Sequence, residues 1–344
     1  MSAVSKRECD SGRAALTVKR RSCDLNARDA GSMQTRLRVA SKRREADDIV
    51  SLELCADDGS ELPSWTPGAH IELELADDLV RQYSLCGAPG DKRTWRIAVL
   101  REQASRGGSK IIHEKLERGH VVSARGPRNN FQLVDAARYI FVAGGIGITP
   151  LLPMIHEAAR RGRSWTVVYG GRTRNSMAFV DELRGLLGGD LHVLPQDEYG
   201  LLDFEEFLSE PLQDTAVYCC GPGPLIDAVE QCCAAWPSPA LHRERFAPSS
   251  APARPAGEFE VRLARTGRTL RVPADRDLLE ILEEAGLAID NSCRAGICGT
   301  CEVRVVGGVP EHNDDILDDE ERSSNEVILP CVSRSKSSVL VLDI

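Results

Sequence analysis

Cys293-Arg294-Ala295-Gly296-Ile297-Cys298-Gly299-Thr300-Cys301 places three cysteines in one short loop, and Cys331 follows further along the chain. Four thiolates are the ligand set of a [2Fe–2S] cluster, whereas a zinc site usually presents two short-spaced cysteine pairs. Glycine at 296 and 299 lets backbone N–H groups approach the sulfur atoms, because no Cβ stands in the way. We therefore predict that Cys293, Cys298, Cys301 and Cys331 bind a [2Fe–2S] cluster, with a zinc knuckle at Cys298 and Cys301 as the alternative.

Residues 258–344 surround this loop and are predicted to form an α+β domain. The C-x4-C-x2-C spacing is that of plant-type ferredoxins. The expected elements are a hairpin (Phe259–Leu263 and Thr269–Val272), a helix (Leu278–Ala285) and two strands (Glu302–Val306 and Val339–Leu342). The domain holds 18 Asp and Glu against 10 Lys and Arg. Such an acidic face attracts a partner with a basic patch, unless it is only a solvated surface.

The chain changes character on the N-terminal side of this domain. Residues 247–257 contain three prolines and no large apolar side chain, which is typical of a semi-rigid linker. Residues 135–246 alternate buried apolar runs with helical patterns, which predicts an α/β domain with a parallel sheet. Its predicted strands are Tyr139–Ala143, Trp165–Tyr169, Leu191–Leu194 and Ala216–Cys219, and its predicted helices are Leu151–Arg160, Ala178–Leu187 and Leu225–Cys233.

Two strand ends of this α/β domain carry glycine-rich turns. Val142–Pro150 includes Gly144, Gly145 and Gly147 between a strand and a helix, where exposed N–H groups and the helix dipole favour a pyrophosphate. Its proline breaks the strict G-x-G-x-x-G fingerprint, so a tight structural turn is the alternative. Tyr218–Pro224 forms the second turn. Because ligands bind at the carboxyl ends of parallel strands, the two turns are expected to flank one crevice.

Residues 33–134 show short stretches of alternating polarity between turn signals, which predicts a small antiparallel β-barrel. The predicted strands are Arg36–Val39, Ile49–Leu54, His70–Leu75 and Trp95–Val99, with one helix at Lys110–Arg118. Residues 1–32 are polar and lack periodicity, so we expect a disordered tail there. The chain is therefore predicted to be a multidomain protein.

Composition limits the possible functions. A chain of 344 residues is too long for a single small module, and its net charge of −9 argues against a globally basic nucleic-acid-binding protein. No apolar run is long enough to cross a bilayer, and the N-terminus is too charged for a signal peptide. Outside the spaced set of four, the cysteines are expected to be reduced thiols. We predict a cytoplasmic protein that binds neither nucleic acid nor a membrane.

Together these motifs resemble the phthalate dioxygenase reductase family, within the wider ferredoxin–NADP⁺ reductase superfamily. The resemblance covers about residues 33–344 and includes Arg81-Gln82-Tyr83-Ser84, which matches the family's flavin signature. It implies an antiparallel flavin-binding β-barrel, then an α/β parallel-sheet nicotinamide domain, then an α+β (β-grasp) ferredoxin domain. The flavin it implies is FMN rather than FAD.

The resemblance also implies a flavin site in the first domain. Arg81, Tyr83 and Ser84 would hold the flavin, with Tyr83 packed on the isoalloxazine ring. The loop Arg106-Gly107-Gly108-Ser109 would bind the flavin phosphate, and the backbone of Ala98-Val99-Leu100 would edge the ring. Backbone N–H groups, a hydroxyl and a guanidinium at a helix start suit a phosphate, although a solvated basic turn is the alternative for this loop.

The same resemblance assigns residues to the second domain. Those implied to line the nicotinamide and flavin crevice are Gly144, Gly145, Gly147, Thr149, Cys220, Gly221 and Pro222. Phe246, in Glu244-Arg245-Phe246, is implied to lie beside the flavin, with a core phenylalanine as the alternative. We therefore expect Thr149, Cys220 and Phe246 at the position of hydride transfer.

The choice of nicotinamide cofactor is less clearly marked. No Asp or Glu follows the second strand at Tyr169–Arg174 to hold a ribose diol. Arg172 or Arg174 would suit the 2′-phosphate of NADPH, yet relatives that serve oxygenases usually use NADH. We therefore expect NADH.

The order of sites predicts an electron-transfer enzyme. NADH gives up two electrons as a hydride and an iron–sulfur cluster accepts one at a time, so a flavin must stand between them. We expect an NADH-dependent reductase, a monomer, that passes electrons through FMN and the cluster to a Rieske non-haem iron oxygenase acting on an aromatic acid or ether. That terminal oxygenase would dock on the acidic ferredoxin domain. The alternatives are a reductase for a diiron or haem monooxygenase, and a non-catalytic redox sensor.

Overall fold

The computed structural model describes residues 34–76, 79–103, 107–237, 240–249 and 257–344. The predicted tail at 1–32 lies outside these ranges, as do residues 250–256 of the predicted linker. The described residues form an antiparallel sheet, a parallel sheet and a mixed sheet in chain order, with a further two-stranded sheet beside the last, which confirms the predicted multidomain fold. In these ranges no helix has the length and apolar character needed to cross a membrane.

The first sheet has six antiparallel strands. They are β1 (Gln34–Ala46), β2 (Ile49–Ala56), β3 (His70–Ala76), β4 (Leu79–Ser84), β5 (Trp95–Leu100) and β6 (Val121–Arg128). Their order in the sheet is β4-β3-β6-β1-β2-β5. A bridge between Leu85 and Ile97 joins the chain after β4 to β5, so the sheet curls into the predicted barrel. Leu37, Leu52 and Trp95 fill its interior and are fully buried.

The barrel's helix, α1 (Gly108–Glu114), differs from the predicted Lys110–Arg118 at both ends. It starts earlier because Gly107 adopts a left-handed conformation that begins the first turn. It ends earlier because Lys115 has a φ of −120°, outside helical geometry. The Lys42 ammonium donates to the carbonyl oxygens of His113 and Leu116, at 2.8 and 2.9 Å, and so satisfies the His113 carbonyl of the last turn.

The second sheet has five parallel strands. They are β7 (Arg138–Gly144), β8 (Ser164–Gly171), β9 (Gly189–Pro195), β10 (Thr215–Cys220) and β11 (Leu241–Glu244), in the order β11-β10-β7-β8-β9. The helices are α2 (Ile148–Arg160), α3 (Val180–Arg184), α4 (Gln196–Tyr199), α5 (Glu205–Leu208) and α6 (Gly223–Cys232). The predicted helix Ala178–Leu187 is shorter because Phe179 has a left-handed φ of 63° and cannot belong to it. β11 was not predicted, since four mostly polar residues show no period.

The third sheet is mixed. Its domain contains β12 (Phe259–Leu263), β13 (Thr269–Val272), α7 (Leu278–Glu284), β14 (Val303–Gly307), β15 (Pro310–Glu311), α8 (Asp319–Ser324), β16 (Val327–Ile328), β17 (Arg334–Ser335) and β18 (Val339–Leu342). The order is β13-β12-β18-β14-β16, with β12 and β18 parallel and the other pairs antiparallel. Leu278 and Leu282 of α7 pack in the core of the sheet. This helix-on-sheet arrangement is the predicted β-grasp.

The barrel and the parallel sheet share a hydrophobic core. Ile49 and Ala98 of the barrel belong to the same buried group as Ile148 and Tyr218 of the second domain. The third domain instead has cores built from its own residues. The first two domains therefore share one hydrophobic core, whereas the core of the third domain is separate.

Candidate functional site

Four cysteine side chains of the third domain are in contact as two pairs, and three of the four belong to the loop at 293–301. Cys298, Cys301 and Cys331 are buried, and all four cysteines are free of disulfides. Hydrogen bonding from the Cys293 thiol lowers the pKa of Cys298 to about 6. Cys331 makes the corresponding contact with Cys301. Glycines 296 and 299 have φ of +71° and +70°, a conformation that other residues adopt only with strain.

The thiols form two pairs, Cys293 with Cys298 and Cys301 with Cys331. In the described part of the chain no three His, Cys, Asp or Glu side chains converge on a single-ion site. A two-iron cluster divides four ligands between two irons. The two thiol pairs therefore fit a [2Fe–2S] cluster, in which each iron takes two of the four ligands.

The residues Arg81-Gln82-Tyr83-Ser84 form the end of β4. Pairing with β3 places Tyr83 opposite Ile71 and Ser84 opposite His70. Burial raises the pKa of the Tyr83 phenol well above its usual range, so the ring is neutral. The Ser84 side chain is also buried. The strand therefore offers a neutral aromatic ring and a sheltered hydroxyl at one edge of the barrel.

The start of α1 packs against Arg81. A Cβ added to Gly108 would lie 2.6 Å from Cγ of Arg81, so a glycine is required for this approach. Gly107 has φ of +102°, and the Ser109 Oγ accepts a hydrogen bond of 3.2 Å from the backbone N–H of Glu102. The structure thus brings Arg81 and residues 107–109 together in a cradle that fits a phosphate. Arg106 lies outside the described residues.

The backbone of Ala98-Val99-Leu100 belongs to β5, beside this helix. Ala98 and Val99 are buried, and Leu100 is partly exposed. The Nε2 atom of His113, on α1, lies 2.9 Å from the Val99 carbonyl oxygen. This contact connects β5, which carries the backbone predicted to edge the flavin ring, to α1, whose first turn forms the phosphate cradle.

The two glycine-rich turns of the second domain are in contact. A Cβ at Gly144 would lie 2.6 Å from Cδ of Pro222, and one at Gly147 would lie 2.2 Å from the Cys220 carbonyl oxygen. Gly145 has φ of +53° and open space where a Cβ would stand. The structure therefore brings together the two strand ends that the sequence placed at one crevice.

Three other predicted residues lie at the same strand ends. A Cβ at Gly221 would lie 3.0 Å from Cα of Gly144. Thr149 is only 2% exposed, and its hydroxyl donates to the Ile146 carbonyl oxygen at 2.9 Å. Cys220 is fully buried, and burial raises the pKa of its thiol well above the ordinary value. Both side chains are therefore neutral and sheltered.

Phe246 and Arg172 lie at the surface. Phe246 follows β11 and is 44% exposed, so the alternative of a core phenylalanine is wrong. Arg172 follows β8 and is exposed. Its neighbour Arg174 donates to both carboxylate oxygens of Glu198, at 3.0 and 2.5 Å.

Glu244 is a residue of this region that the sequence prediction missed. It lies on β11 directly opposite Cys220 on β10. Its Oε2 atom is buried and has no hydrogen-bond partner among the described residues. Burial raises the pKa of this carboxyl to about 8. The only sequence signal was its position two residues before Phe246, since the register of β11 is not visible in the sequence.

Known proteins resemble the chain over the same regions. Residues 261–336 match the 2Fe-2S iron-sulfur cluster binding domain, and residues 141–231 match the oxidoreductase NAD-binding domain. The vanillate O-demethylase oxidoreductase of Pseudomonas putida is 41% identical over 313 residues, which cover 89% of this chain and 98% of that protein. The crystal structure of phthalate dioxygenase reductase is 37% identical with a TM-score of 0.65, and the match covers 90% of this chain and 98% of that one. The chain belongs to the phthalate dioxygenase reductase family.

The phthalate dioxygenase reductase structure is described as a modular one for electron transfer from pyridine nucleotides to [2Fe-2S]. An intact type IV self-sufficient cytochrome monooxygenase is also similar, at 38% identity and a TM-score of 0.85. That match covers 90% of this chain and 41% of the monooxygenase. A phthalate dioxygenase reductase fold thus occurs both as a separate chain and as part of a longer one.

Proposed function

We propose that this protein is an NADH-dependent reductase that supplies electrons to a Rieske non-haem iron oxygenase acting on an aromatic acid or ether. The observation that carries the proposal is that one chain brings together the two glycine-rich turns, Arg81 with residues 107–109, and the two pairs of thiols. Phthalate dioxygenase reductase supports it, because its name places it in a dioxygenase system.

In this proposal each site holds one redox group. The four cysteines of the third domain hold a [2Fe–2S] cluster, and Arg81, Tyr83, Ser84 and residues 106–109 hold FMN. When bound, the flavin accepts a hydride from NADH and the cluster passes electrons onward singly. The glycine turns at 144–147 and 220–222 bind the dinucleotide through backbone N–H groups.

The chain itself contributes alignment and exclusion of water at the proposed site of hydride transfer. Thr149 and Cys220, which are buried and neutral, would form a dry wall behind the glycine turns, and the exposed Phe246 would cover a bound ring. The Glu244 carboxyl is protonated at neutral pH and would donate a hydrogen bond to a polar group of the nicotinamide cofactor. Alignment of this kind contributes much of the rate, because it replaces the entropy loss of an encounter.

The ion pair between Arg174 and Glu198 supports NADH over NADPH. A 2′-phosphate needs an available guanidinium, and Glu198 already occupies that of Arg174 through two hydrogen bonds. Arg172 is exposed and offers a weaker site, since its charge is screened by solvent. The NADH ribose would therefore be preferred.

The acidic third domain is the proposed docking surface for the oxygenase. The chain would act as a cytoplasmic monomer with domains at 33–134, 135–246 and 258–344, joined by a linker at 247–257. Asp318, Asp319 and Glu320 form an exposed acidic run at the start of α8. Such a run steers a basic partner over a Debye length of about 10 Å at 0.1 M salt.

Purified protein provides the direct test. We expect an absorbance spectrum with both flavin and iron–sulfur bands, and chromatography of the released flavin that identifies FMN. NADH should reduce both groups in stopped-flow mixing, and a Rieske oxygenase should then turn over. Protein that binds neither group after reconstitution with iron, sulfide and FMN would reject the proposal.

A haem monooxygenase is the second candidate acceptor. It is favoured by the similarity to the self-sufficient cytochrome monooxygenase, whose TM-score is the higher of the two structures compared above. Parallel assays with a purified Rieske oxygenase and a purified haem monooxygenase separate the two, because only the true acceptor should accelerate NADH oxidation with coupled product formation.

A further inference from the structure

A buried carboxylate of the barrel lies at the boundary with the cluster loop. Glu72 is on β3, opposite Gln82 on β4, and is only 2% exposed. Gln82 stands between Arg81 and Tyr83 of the flavin signature. Glu72 is therefore one strand away from the residues proposed to hold the flavin.

Three side chains donate hydrogen bonds to Oε1 of Glu72. Gln82 Nε2 does so at 3.1 Å and Arg128 Nη1 at 3.4 Å, both from the barrel. The third donor is the Thr300 hydroxyl, at 3.2 Å, which comes from the third domain. Arg128 Nη1 also donates to this hydroxyl at 2.7 Å. The ion pair of Glu72 and Arg128 in the barrel thus makes two hydrogen bonds to the Thr300 side chain of the ferredoxin domain.

Thr300 lies between two of the proposed cluster ligands, Cys298 and Cys301. A second contact joins the same loop to the barrel, because Asn130 Nδ2 donates to the Cys298 carbonyl oxygen at 2.8 Å. A Cβ on Gly299 would lie 3.2 Å from that Asn130 nitrogen. The cluster loop therefore rests on the barrel at the residues that carry the thiols.

The chemistry of the contact makes it specific in orientation. A buried carboxylate is stable only when its oxygens are paired, and hydrogen bonds to charged groups are stronger than neutral ones. Thr300 meets both the carboxylate and the guanidinium at once. Rotation or translation of the third domain would break both bonds together.

We propose that Glu72, Arg128 and Thr300 form an interdomain latch that fixes the cluster loop against the flavin barrel and so sets the rate of electron transfer between the two centres. The role assigned to this latch depends on the proposed function, because it requires a flavin in the barrel and a cluster in the third domain. In the transfer it serves, the reduced flavin loses one electron and the oxidised cluster gains it, with NADH as the source. The three residues are positioning residues, since none of them exchanges the electron.

Thr300→Val is the sharpest variant, because it removes the hydroxyl with little change in volume, and Thr300→Ser is its conservative rescue. Glu72→Gln removes the charge and changes no residue of the cluster loop. The matched control is Glu61→Gln, which breaks an exposed ion pair with Lys92 on the same barrel. All four variants are purified as full-length protein with flavin and cluster bound.

The first readout needs no turnover. Hydrogen–deuterium exchange of peptides covering residues 126–132 and 293–301 should become faster in Thr300→Val and Glu72→Gln and stay at the wild-type rate in Thr300→Ser and Glu61→Gln. A merely internal role of Glu72 in the barrel would change residues 126–132 alone. That result, or unchanged exchange in both peptides, would overturn the latch. If Glu72→Gln fails to fold, the Thr300 pair decides.

The second readout is kinetic. After mixing with NADH, flavin reduction should proceed at the wild-type rate in all variants, while cluster reduction slows about tenfold or more in Thr300→Val and Glu72→Gln. The cluster's electron paramagnetic resonance spectrum and potential are recorded, so that a change in the cluster itself is recognised. Cluster reduction within about twofold of wild type, with exchange unchanged, would reject the proposal. Failure of wild-type protein to be reduced by NADH would instead reject the proposed function.

Discussion

Glu244 and Cys220 lie directly opposite each other on neighbouring parallel strands, beside the proposed nicotinamide crevice. The thiol is fully buried, and the Oε2 atom of the carboxyl is buried without a partner among the described residues. Burial raises the pKa of both groups, and the carboxylate charge would raise that of the thiol further. The pair is therefore neutral at pH 7, and this neutrality has consequences for stability and for rate.

Glu244→Gln is expected to increase thermal stability at alkaline pH. The carboxyl pKa is about 8 in the folded protein and about 4.3 in the unfolded chain, so the folded state binds more protons between these values. Stability of the wild type therefore falls as pH rises from about 4.3 towards 8. The variant's melting temperature relative to wild type should rise by at least about 2 °C between pH 5 and pH 8. Glu206→Gln, at an exposed position of the same domain, is the control, and an equal pH dependence in both variants would contradict the assignment.

Cys220→Ala is expected to slow flavin reduction by NADH several-fold, because it removes a side chain from the proposed nicotinamide wall. Cys219→Ala is the matched control. Cys219 is the neighbouring residue on the same strand and is equally buried, but it packs in the core on the other face of the sheet. Stopped-flow absorbance of the flavin measures both rates. Equal rates for the two variants would remove Cys220 from the site.

Gly147→Ala is expected to weaken NADH binding, because the new Cβ would lie 2.2 Å from the backbone carbonyl oxygen of Cys220. A backbone atom cannot move aside cheaply, and overpacking of this kind costs about 1–3 kcal/mol. The KM for NADH should rise about tenfold if the turns separate. Gly90→Ala serves as control, since it meets no atom within 4 Å. A KM unchanged in Gly147→Ala would show that the turns do not form the binding edge.

Asp319→Lys combined with Glu320→Lys is expected to raise the KM for the oxygenase partner and to reduce its dependence on salt. Long-range attraction between exposed charges is screened by salt, so the wild-type KM should increase between 50 and 300 mM NaCl, about the range over which screening becomes strong. Reversal of Glu205 and Glu206, which are exposed on the second domain, is the control. Both double variants should be reduced by NADH normally. Identical partner kinetics in the two would place docking elsewhere on the chain.

The parts of the site that follow from the sequence are those with a strict chemical or backbone requirement. Four spaced cysteines have few roles other than a cluster, and glycines at 144 and 147 stand where a Cβ has no room. Strands with clear alternation, such as the one at 49–54, were also predictable because their pattern repeats every two residues. At these positions the local sequence alone determines the structure, because few other residues would satisfy the chemical or backbone requirement.

The parts that could not be predicted depend on register and on distant contacts. β11 has only four residues and no alternation, so the position of Glu244 opposite Cys220 appears only when the sheet is assembled. Glu72 and Thr300 are separated by 228 positions in the chain. No local pattern encodes such a meeting, because it results from the docking of two separately patterned domains.

The division of the hydrophobic cores also determines how the molecule can be rebuilt. Ile49 and Ala98 share a buried cluster with Ile148 and Tyr218. Separating the barrel from the parallel-sheet domain would therefore expose apolar surface to water. The C-terminal unit keeps its interior to itself and meets the remainder through polar groups such as Thr300 and the Cys298 carbonyl. This domain is therefore the one to exchange in chimeric proteins. A ferredoxin domain from another protein would need a hydroxyl at the position of Thr300 more than it would need a complementary apolar surface.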